Sequence, residues 1–223
     1  MVHQPAVLFD IDGTLVDSNY LHIHAWCRAF SDIGLDVESW RIHRCIGMDG
    51  TRLVKFLTGD AEEDVQQQAK DLHLQYFQES ASLLNRLPGA RELLERIHAL
   101  GLQIVLATSA SEDELALLRK VLDSDDIVSA MTSSKDVDVA KPEPGIIQVA
   151  LDRAGVDADH AVYLGDAVWD IVACKNAGVS SIGVLSGGVS REELGNAGAE
   201  QVFDNARELC ERIDDTAIAA LRA

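Results

Sequence analysis

The sequence predicts an α/β protein: a doubly wound parallel sheet interrupted by an all-helical insertion. Three observations carry that expectation. Ala6–Phe9, Leu102–Ala107, Ala161–Leu164 and Ser180–Leu185 are short, largely apolar runs without period-two alternation, as expected of strands buried on both faces of a parallel sheet. Beyond Pro88, stretches with apolar residues three and four apart separate these runs, so strand and helix signals alternate. The segment from Glu38 to Asn85 instead reads as helices joined by short loops, with no convincing strand.

Each element follows from local chemistry. After Ala6–Phe9, Gly13 marks a sharp turn, and Leu15-Val16 is strand-like. Asp17 and Ser18 are good helix caps, and Ile23, Trp26, Phe30 and Ile33 give a helix that stops near Gly34. His22 falls within a turn of that helix start, near the acidic loop, and His24 is read as structural or solvent-facing. Gly47 and Gly50 make a flexible loop, Leu53, Val54 and Leu57 continue as a helix, and Thr58-Gly59-Asp60 breaks it. Ala61–Leu84 is again helical, with Leu72, Tyr76 and Leu83 inward; Pro88-Gly89 is the return point. Leu93, Leu94, Ile97 and Leu100 form the next helix face. Ser111 with Glu114 makes a capping box for a helix buried through Leu115, Leu118 and Leu122. A weak strand at Ile127–Met131 precedes Lys141-Pro142-Glu143-Pro144-Gly145 and a helix through Ile147, Ala150, Leu151 and Ala154. A helix to Ala177-Gly178 follows Ala161–Leu164, and Gln201–Phe203 adds a last short strand. The alternation and the right-handed crossover rule give a Rossmann-like core. Residues 1–16 and 88–223 are assigned to that core, and residues 17–87 to a helical cap acting as a lid.

Composition narrows the function. The hydrophobic fraction of 47% is ample for a core, and no uninterrupted apolar run is long enough to span a bilayer. A net charge of −18 argues against nucleic acid or an anionic membrane as partner. An anionic substrate must therefore be held by a few placed cations or a metal. Cys27, Cys45, Cys174 and Cys210 are scattered with no Cys-x-x-Cys pair, which fits buried thiols in a reducing cytoplasm. The start of the chain runs almost directly into the first strand, so no signal peptide is expected.

The chemistry gathers at strand ends. Asp10 and Asp12 follow the first strand, where an apolar run has no packing reason to hold carboxylates. Two acids one residue apart repel unless a cation lies between them, so a hard metal such as Mg2+ is the natural inference. An acidic surface turn is the plainer reading, but these acids leave a buried strand. Thr108 and Ser109, Lys141, and Asp166 with Asp170 stand at or just beyond later strand ends. In a parallel sheet all these positions share one edge, so they should converge. Alone, a Thr after a strand is usually a helix cap and a Lys a solvated charge; the ordered set is the signal.

That set resembles the haloacid dehalogenase superfamily, in particular its phosphatase branch with a helical cap, over nearly the whole chain. Asp10-Ile11-Asp12-Gly13-Thr14-Leu15-Val16-Asp17-Ser18 is similar to the first motif of the family, Thr108 to the second, Lys141-Pro142-Glu143-Pro144 to the third, and Gly165-Asp166 with Asp170 to the fourth. The resemblance implies that Asp10 is a nucleophile forming an aspartyl-phosphate, and that Asp12 is the general acid and then base. It implies Mg2+ held by Asp10, the Asp12 carbonyl and Asp166, with Asp170 orienting that shell. Thr108, Ser109 and Lys141 would bind the phosphate. Physics makes these roles sensible, because a carboxylate attacks a phosphate dianion only once that charge is neutralised.

Asp12 favours phosphoester chemistry over the dehalogenating and phosphonate-cleaving branches. The β-phosphoglucomutase branch is closer, since His22 stands at its matching place, yet that branch tends to carry Glu-Asp where this chain has Gly165-Asp166. Its cap-loop arginine is also out of register with Arg52. A phosphatase is the preferred reading and a sugar phosphomutase the alternative; a receiver-type signalling module would need neither Asp12 as a proton carrier nor the helical lid. The expected partner is a small phosphorylated metabolite, with His22, Arg44, Arg52, Lys55 and the Gly47–Gly50 loop as its candidate contacts on the cap side, in a monomer or homodimer.

Overall fold

The structure, a computed structural model, describes residues 4–59, 61–136 and 141–221; Asp60, in the expected helix break, lies outside them. Six parallel strands form the main sheet: β1 (Ala6–Phe9), β4 (Gln103–Leu106), β5 (Ala130–Met131), β6 (Ala161–Gly165), β7 (Ser180–Val184) and β8 (Gln201–Phe203). Their order is β5-β4-β1-β6-β7-β8. β1 therefore lies between two wings of the sheet that the chain builds in turn, and the ends of β1, β4 and β6 border the crevice where strand order reverses.

Alternate side chains of these strands feed two apolar layers. Val7, Phe9, Ile104, Leu106, Val162 and Leu164 point into one, and Ala6, Leu8, Val105, Ala107, Ala161 and Tyr163 into the other. The first layer packs on α5 (Ala90–Ala99), α6 (Glu112–Leu122) and α10 (Ala206–Glu211), and the second on α7 (Gly145–Ala154) and α8 (Val168–Ala177). α9 (Arg191–Ala197) and α11 (Ala217–Ala220) complete the flanks. Burying each Leu or Phe contributes roughly 1.5–3 kcal/mol, which explains why the central strand β1 carries no polar residue on either face.

The helical insertion lies between β2 (Val16–Asp17) and β3 (Asn85–Arg86), which pair antiparallel as a separate two-stranded sheet. It contains α1 (Asn19–Asp32), α2 (Ser39–His43), α3 (Gly50–Thr58) and α4 (Glu63–Glu79). Three local expectations are corrected here. β3 was not foreseen, because two exposed polar residues carry no strand signal. Leu83 is 62% exposed: α4 ends at Glu79, and the following 3-10 turn takes Leu83 off the inward face, which His73, Tyr76 and Phe77 occupy. Ser18 stands at the N-cap of α1 without capping it, because its hydroxyl donates instead to the Asp12 carboxylate at 2.5 Å. A charged acceptor outcompetes a backbone amide.

Candidate active site

The end of β1 is fixed from both sides. The Asp10 amide donates to the Leu164 carbonyl at 2.9 Å, and the amides of Leu15 and Val16 turn back onto the Ile11 carbonyl at 2.9 and 3.0 Å. Gly13 makes this turn at φ 71°, and a Cβ there would sit 2.3 Å from Asn19 Nδ2 and 2.5 Å from Asp166 Oδ2. No other residue fits this corner.

Asp10, Lys141, Asp166 and Asp170 meet in the interior. Lys141 Nζ lies 2.7 Å from Asp10 Oδ1 and 2.7 Å from Asp170 Oδ1, with all three side chains less than a tenth exposed. Burial alone would lower the Lys141 pKa, but the two carboxylates overcome it and hold the ammonium charged well above its usual range. Asp170 also accepts from the Ala167 amide at 3.0 Å and from the Tyr163 hydroxyl at 3.2 Å. Asp166 accepts from Thr14 Oγ1 at 2.9 Å and Asn19 Nδ2 at 2.8 Å. Burial, reinforced by the Asp170 charge, pushes Asp166 up to about 7. Burial likewise raises Asp10, with Lys141 opposing and Asp170 and Asp166 adding repulsion.

Carboxylate oxygens of Asp10, Asp166 and Asp170 all lie within 4.8 Å of one another. Three carboxylates against one ammonium leave a charge of −2 when all are ionised, and a divalent cation with oxygen ligands is the matching counterion. The donor set therefore fits a hard metal. The buried Asn19 Oδ1 beside it has no hydrogen-bond partner among the described residues, a further polar atom left for a ligand or water.

Glycines shape this cluster as closely as the acids do. A Cβ at Gly187 would fall 1.6 Å from Asp166 Oδ2 and 2.8 Å from Asp166 Cβ, so more than the carboxylate tip is in the way. Gly187→Ala should displace Asp166 and destabilise the fold by about 1–3 kcal/mol, measurable by urea unfolding. At Gly165 a Cβ would lie 2.5 Å from Asp170 Oδ2 and 2.8 Å from Asp170 Cβ, so the glutamate of the mutase pattern has no room here.

A cavity of about 360 Å³ opens above these groups. Its core side presents Asp10, Asp12, Thr108, Ser109, Lys141 and Asp166. Thr108 Oγ1 accepts from the Ala110 amide at 3.0 Å, while the buried Ser109 Oγ has no partner among the described residues. An unpaired buried hydroxyl is costly unless a ligand completes it. Across the cavity, His22 Nε2 lies 3.2 Å from Asp12 Oδ1 and its Nδ1 lies 3.1 Å from His73 Nε2. His73 Nδ1 stands 3.6 Å from Glu114 Oε1. Phe77 stacks on His22 and Trp26 on His73, each with ring centroids 3.9 Å apart. Burial pushes His73 well down, helped by His22, whereas the Asp12 carboxylate raises His22 against its burial. A protonated His22 donating both ways and a neutral His73 accepting at Nε2 satisfy this line of groups. Burial alone would raise Asp12, but His22 and Ser18 outweigh it and hold its carboxyl below the usual range.

The expected cap cations lie elsewhere. Among the described residues, the cavity lining includes neither Arg44 nor Arg52. Arg44 pairs with Glu193, and Arg52 stands 3.9 Å from Glu143, both at the exterior between insertion and core. A periodic polar face of α4, including Gln67, Lys70 and Asp71, lines the cavity instead. His73 and Glu114 were also not foreseen as site residues. Glu114 was recognised only as a cap, which it also is: its Oε2 accepts from the Ser111 amide and hydroxyl at 2.8 Å.

Acids, a lysine and hydroxyls gathered at the carboxyl edge of a parallel sheet, under a helical cap, define a hydrolase site built on a Rossmann-like core. The chain belongs to the haloacid dehalogenase-like hydrolase family, which it matches over residues 7–184. It is 29% identical over 210 residues to a phosphoglycolate phosphatase of Rhodospirillum rubrum, covering 90% of this chain and 87% of that protein. It is 28% identical over 179 residues to a phosphorylated carbohydrates phosphatase of Thermotoga maritima, covering 79% and 83%. A solved structure of a hydrolase from Pseudomonas syringae superposes with a TM-score of 0.91 at 32% identity, covering 95% of this chain and 98% of that one.

Proposed function

We propose that the protein is a Mg2+-dependent phosphatase that hydrolyses a small phosphomonoester through an aspartyl-phosphate on Asp10. The observation that carries this reading is the buried contact of Lys141 with both Asp10 and Asp170, beside Asp166 at the cavity floor. Lys141 holds Asp10 in one orientation and supplies positive charge where a phosphate dianion must approach. Asp10, the Asp12 backbone carbonyl and Asp166 would hold the metal, and Asp170 would orient them through Lys141. When bound, that ion neutralises phosphate charge and keeps Asp10 ionised.

In the first step an Asp10 carboxylate oxygen bonds to phosphorus as the ester P–O bond breaks, and Asp12 protonates the departing alkoxide. In the second, Asp12 takes a proton from water, whose oxygen attacks phosphorus and releases the Asp10 carboxylate with inorganic phosphate. Within hydrogen-bond distance of Asp12, His22 is placed to orient that carboxyl and to hold, between turnovers, the proton that Asp12 uses in the first step. Thr108 and Ser109 are assigned to the phosphate oxygens.

Residues 17–87 act in this reading as a cap that closes the cavity, with the β2–β3 pair at its root. Among the described residues no helix is long and apolar enough to cross a membrane, and all four cysteines are unpaired, which supports a cytoplasmic setting. Turnover of an aryl phosphate should vanish with chelator and return with Mg2+. Full activity in chelated protein would remove the metal from this reading.

A further inference from the structure

Two lysines line the cavity: Lys141 is paired with acids, whereas Lys70 has no acid partner among the described residues. Among the cavity acids, Asp12 accepts from Ser18, Asp49 from the amides of Thr51 and Arg52, Asp71 from Gln67, Glu114 from Ser111, and Asp166 from Thr14 and Asn19. Asp10 is paired with Lys141. The remaining cation of the lining, Lys70, has no carboxylate within ion-pair distance among the described residues. Among the described residues its Nζ donates only to Thr51 Oγ1, at 3.3 Å. Arg44 and Arg52 of the same insertion, by contrast, both face acids.

Lys70 lies beside the start of α3. A Cβ on Gly50 would lie 4.0 Å from Lys70 Cδ and 3.6 Å from the Trp26 ring. The amides at that helix start are already taken by Asp49, so the free donor there is the ammonium rather than the helix end. When a substrate fills the cavity and displaces water, an ammonium left with a hydroxyl alone pays for its lost hydration without recovering it. A substrate that brings its own anion removes that cost.

We propose that Lys70, with Thr51, is the cap-side specificity subsite and that it binds a second anionic group of the substrate, a carboxylate or a second phosphate. The substrate is then a small phosphoester anionic at both ends, not a neutral sugar monophosphate. This assignment rests on the phosphatase reading given above.

The test compares kcat/KM of the full-length protein with Mg2+ on phosphoglycolate, on 2-hydroxyethyl phosphate, which replaces the carboxylate by an alcohol, and on a short alkyl bisphosphate. Binding of phosphonoacetate and methylphosphonate is measured by calorimetry alongside. Wild type should prefer at least one doubly anionic substrate over the alcohol by about tenfold or more, as a charge-assisted hydrogen bond provides. Whether the carboxylate or the bisphosphate leads identifies the anion. Lys70→Met should reduce that preference to within about threefold and weaken phosphonoacetate relative to methylphosphonate. Lys70→Arg should keep most of the preference, and Thr51→Val should lower it in part. A wild type that hydrolyses the alcohol as well as both anionic substrates overturns the Lys70 subsite and leaves the phosphatase reading standing. A preference that survives Lys70→Met also overturns it. Failure on every phosphoester, an aryl phosphate included, overturns both.

Discussion

Asp10→Asn should be a folded protein with turnover reduced by at least about 10⁴-fold on every phosphoester, activated aryl phosphates included. The amide oxygen is a poor nucleophile, and a reactive leaving group does not compensate for a missing attacking atom. Stability should not fall with activity. Burial and the neighbouring Asp170 and Asp166 charges raise the Asp10 pKa, so its ionisation opposes folding while no metal is bound. With the folded pKa above the unfolded one, its contribution is most favourable at low pH and is lost as pH rises above the ordinary carboxylate range. Urea unfolding in chelator at neutral pH should show the variant as stable as wild type or more so. A variant that has lost activity because it is unfolded would contradict this.

Lys141→Met should lose both stability and activity. It removes the ammonium that lies 2.7 Å from each of two buried carboxylates and leaves Asp10 and Asp170 facing each other without compensation. Breaking a buried pair from one side typically costs about 3–5 kcal/mol. The loss should depend on pH in one direction only. At low pH the abandoned carboxyls take up protons and the variant approaches wild type; as pH rises they must ionise in a buried site, and the deficit grows. Urea unfolding at pH 5 and pH 8 with chelator present separates these cases. An equal deficit at both values would mean that Lys141 stabilises by packing rather than by charge.

The parts of the site legible in the sequence are those written as breaks in a local pattern. Asp10 and Asp12 directly follow an apolar strand, Thr108 and Asp166 stand where strands end, and the parallel topology brings them to one edge without any knowledge of side-chain packing. Lys141 could be placed on its loop, but its contact with Asp170 as well as Asp10 could not be seen, because it depends on how that loop folds under the sheet edge.

On the cap side, His22 and the Gly47–Gly50 loop do line the cavity, but the cations could not be placed for a related reason. Arg44 and Arg52 are conspicuous near a glycine-rich loop, yet α2 and α3 turn them towards Glu193 and Glu143 at the exterior. Lys70, His73 and Glu114 sit in ordinary helices, where each reads as a solvated or capping residue. Only the packing of α4 over the strand ends shows that Lys70 faces the cavity and that His73 lies between His22 and Glu114. Sequence periodicity assigned Leu83 to that same inward face because the local pattern cannot register the end of α4 at Glu79.

The central claim is a covalent bond between Asp10 and phosphorus, and the most direct measurement is acid quenching during turnover followed by mass spectrometry of the peptides. Wild type and Asp12→Asn are compared on an aryl phosphate. Without Asp12 as base, dephosphorylation should slow by about 10²–10⁴-fold, more than the first step with such a leaving group. The expected result is a single phosphoryl group on the peptide containing Asp10, sparse in wild type, abundant in Asp12→Asn and absent from Asp10→Asn. Steady turnover with no phosphoryl on Asp10 in either active form, or a phosphoryl group on another residue, would contradict the account.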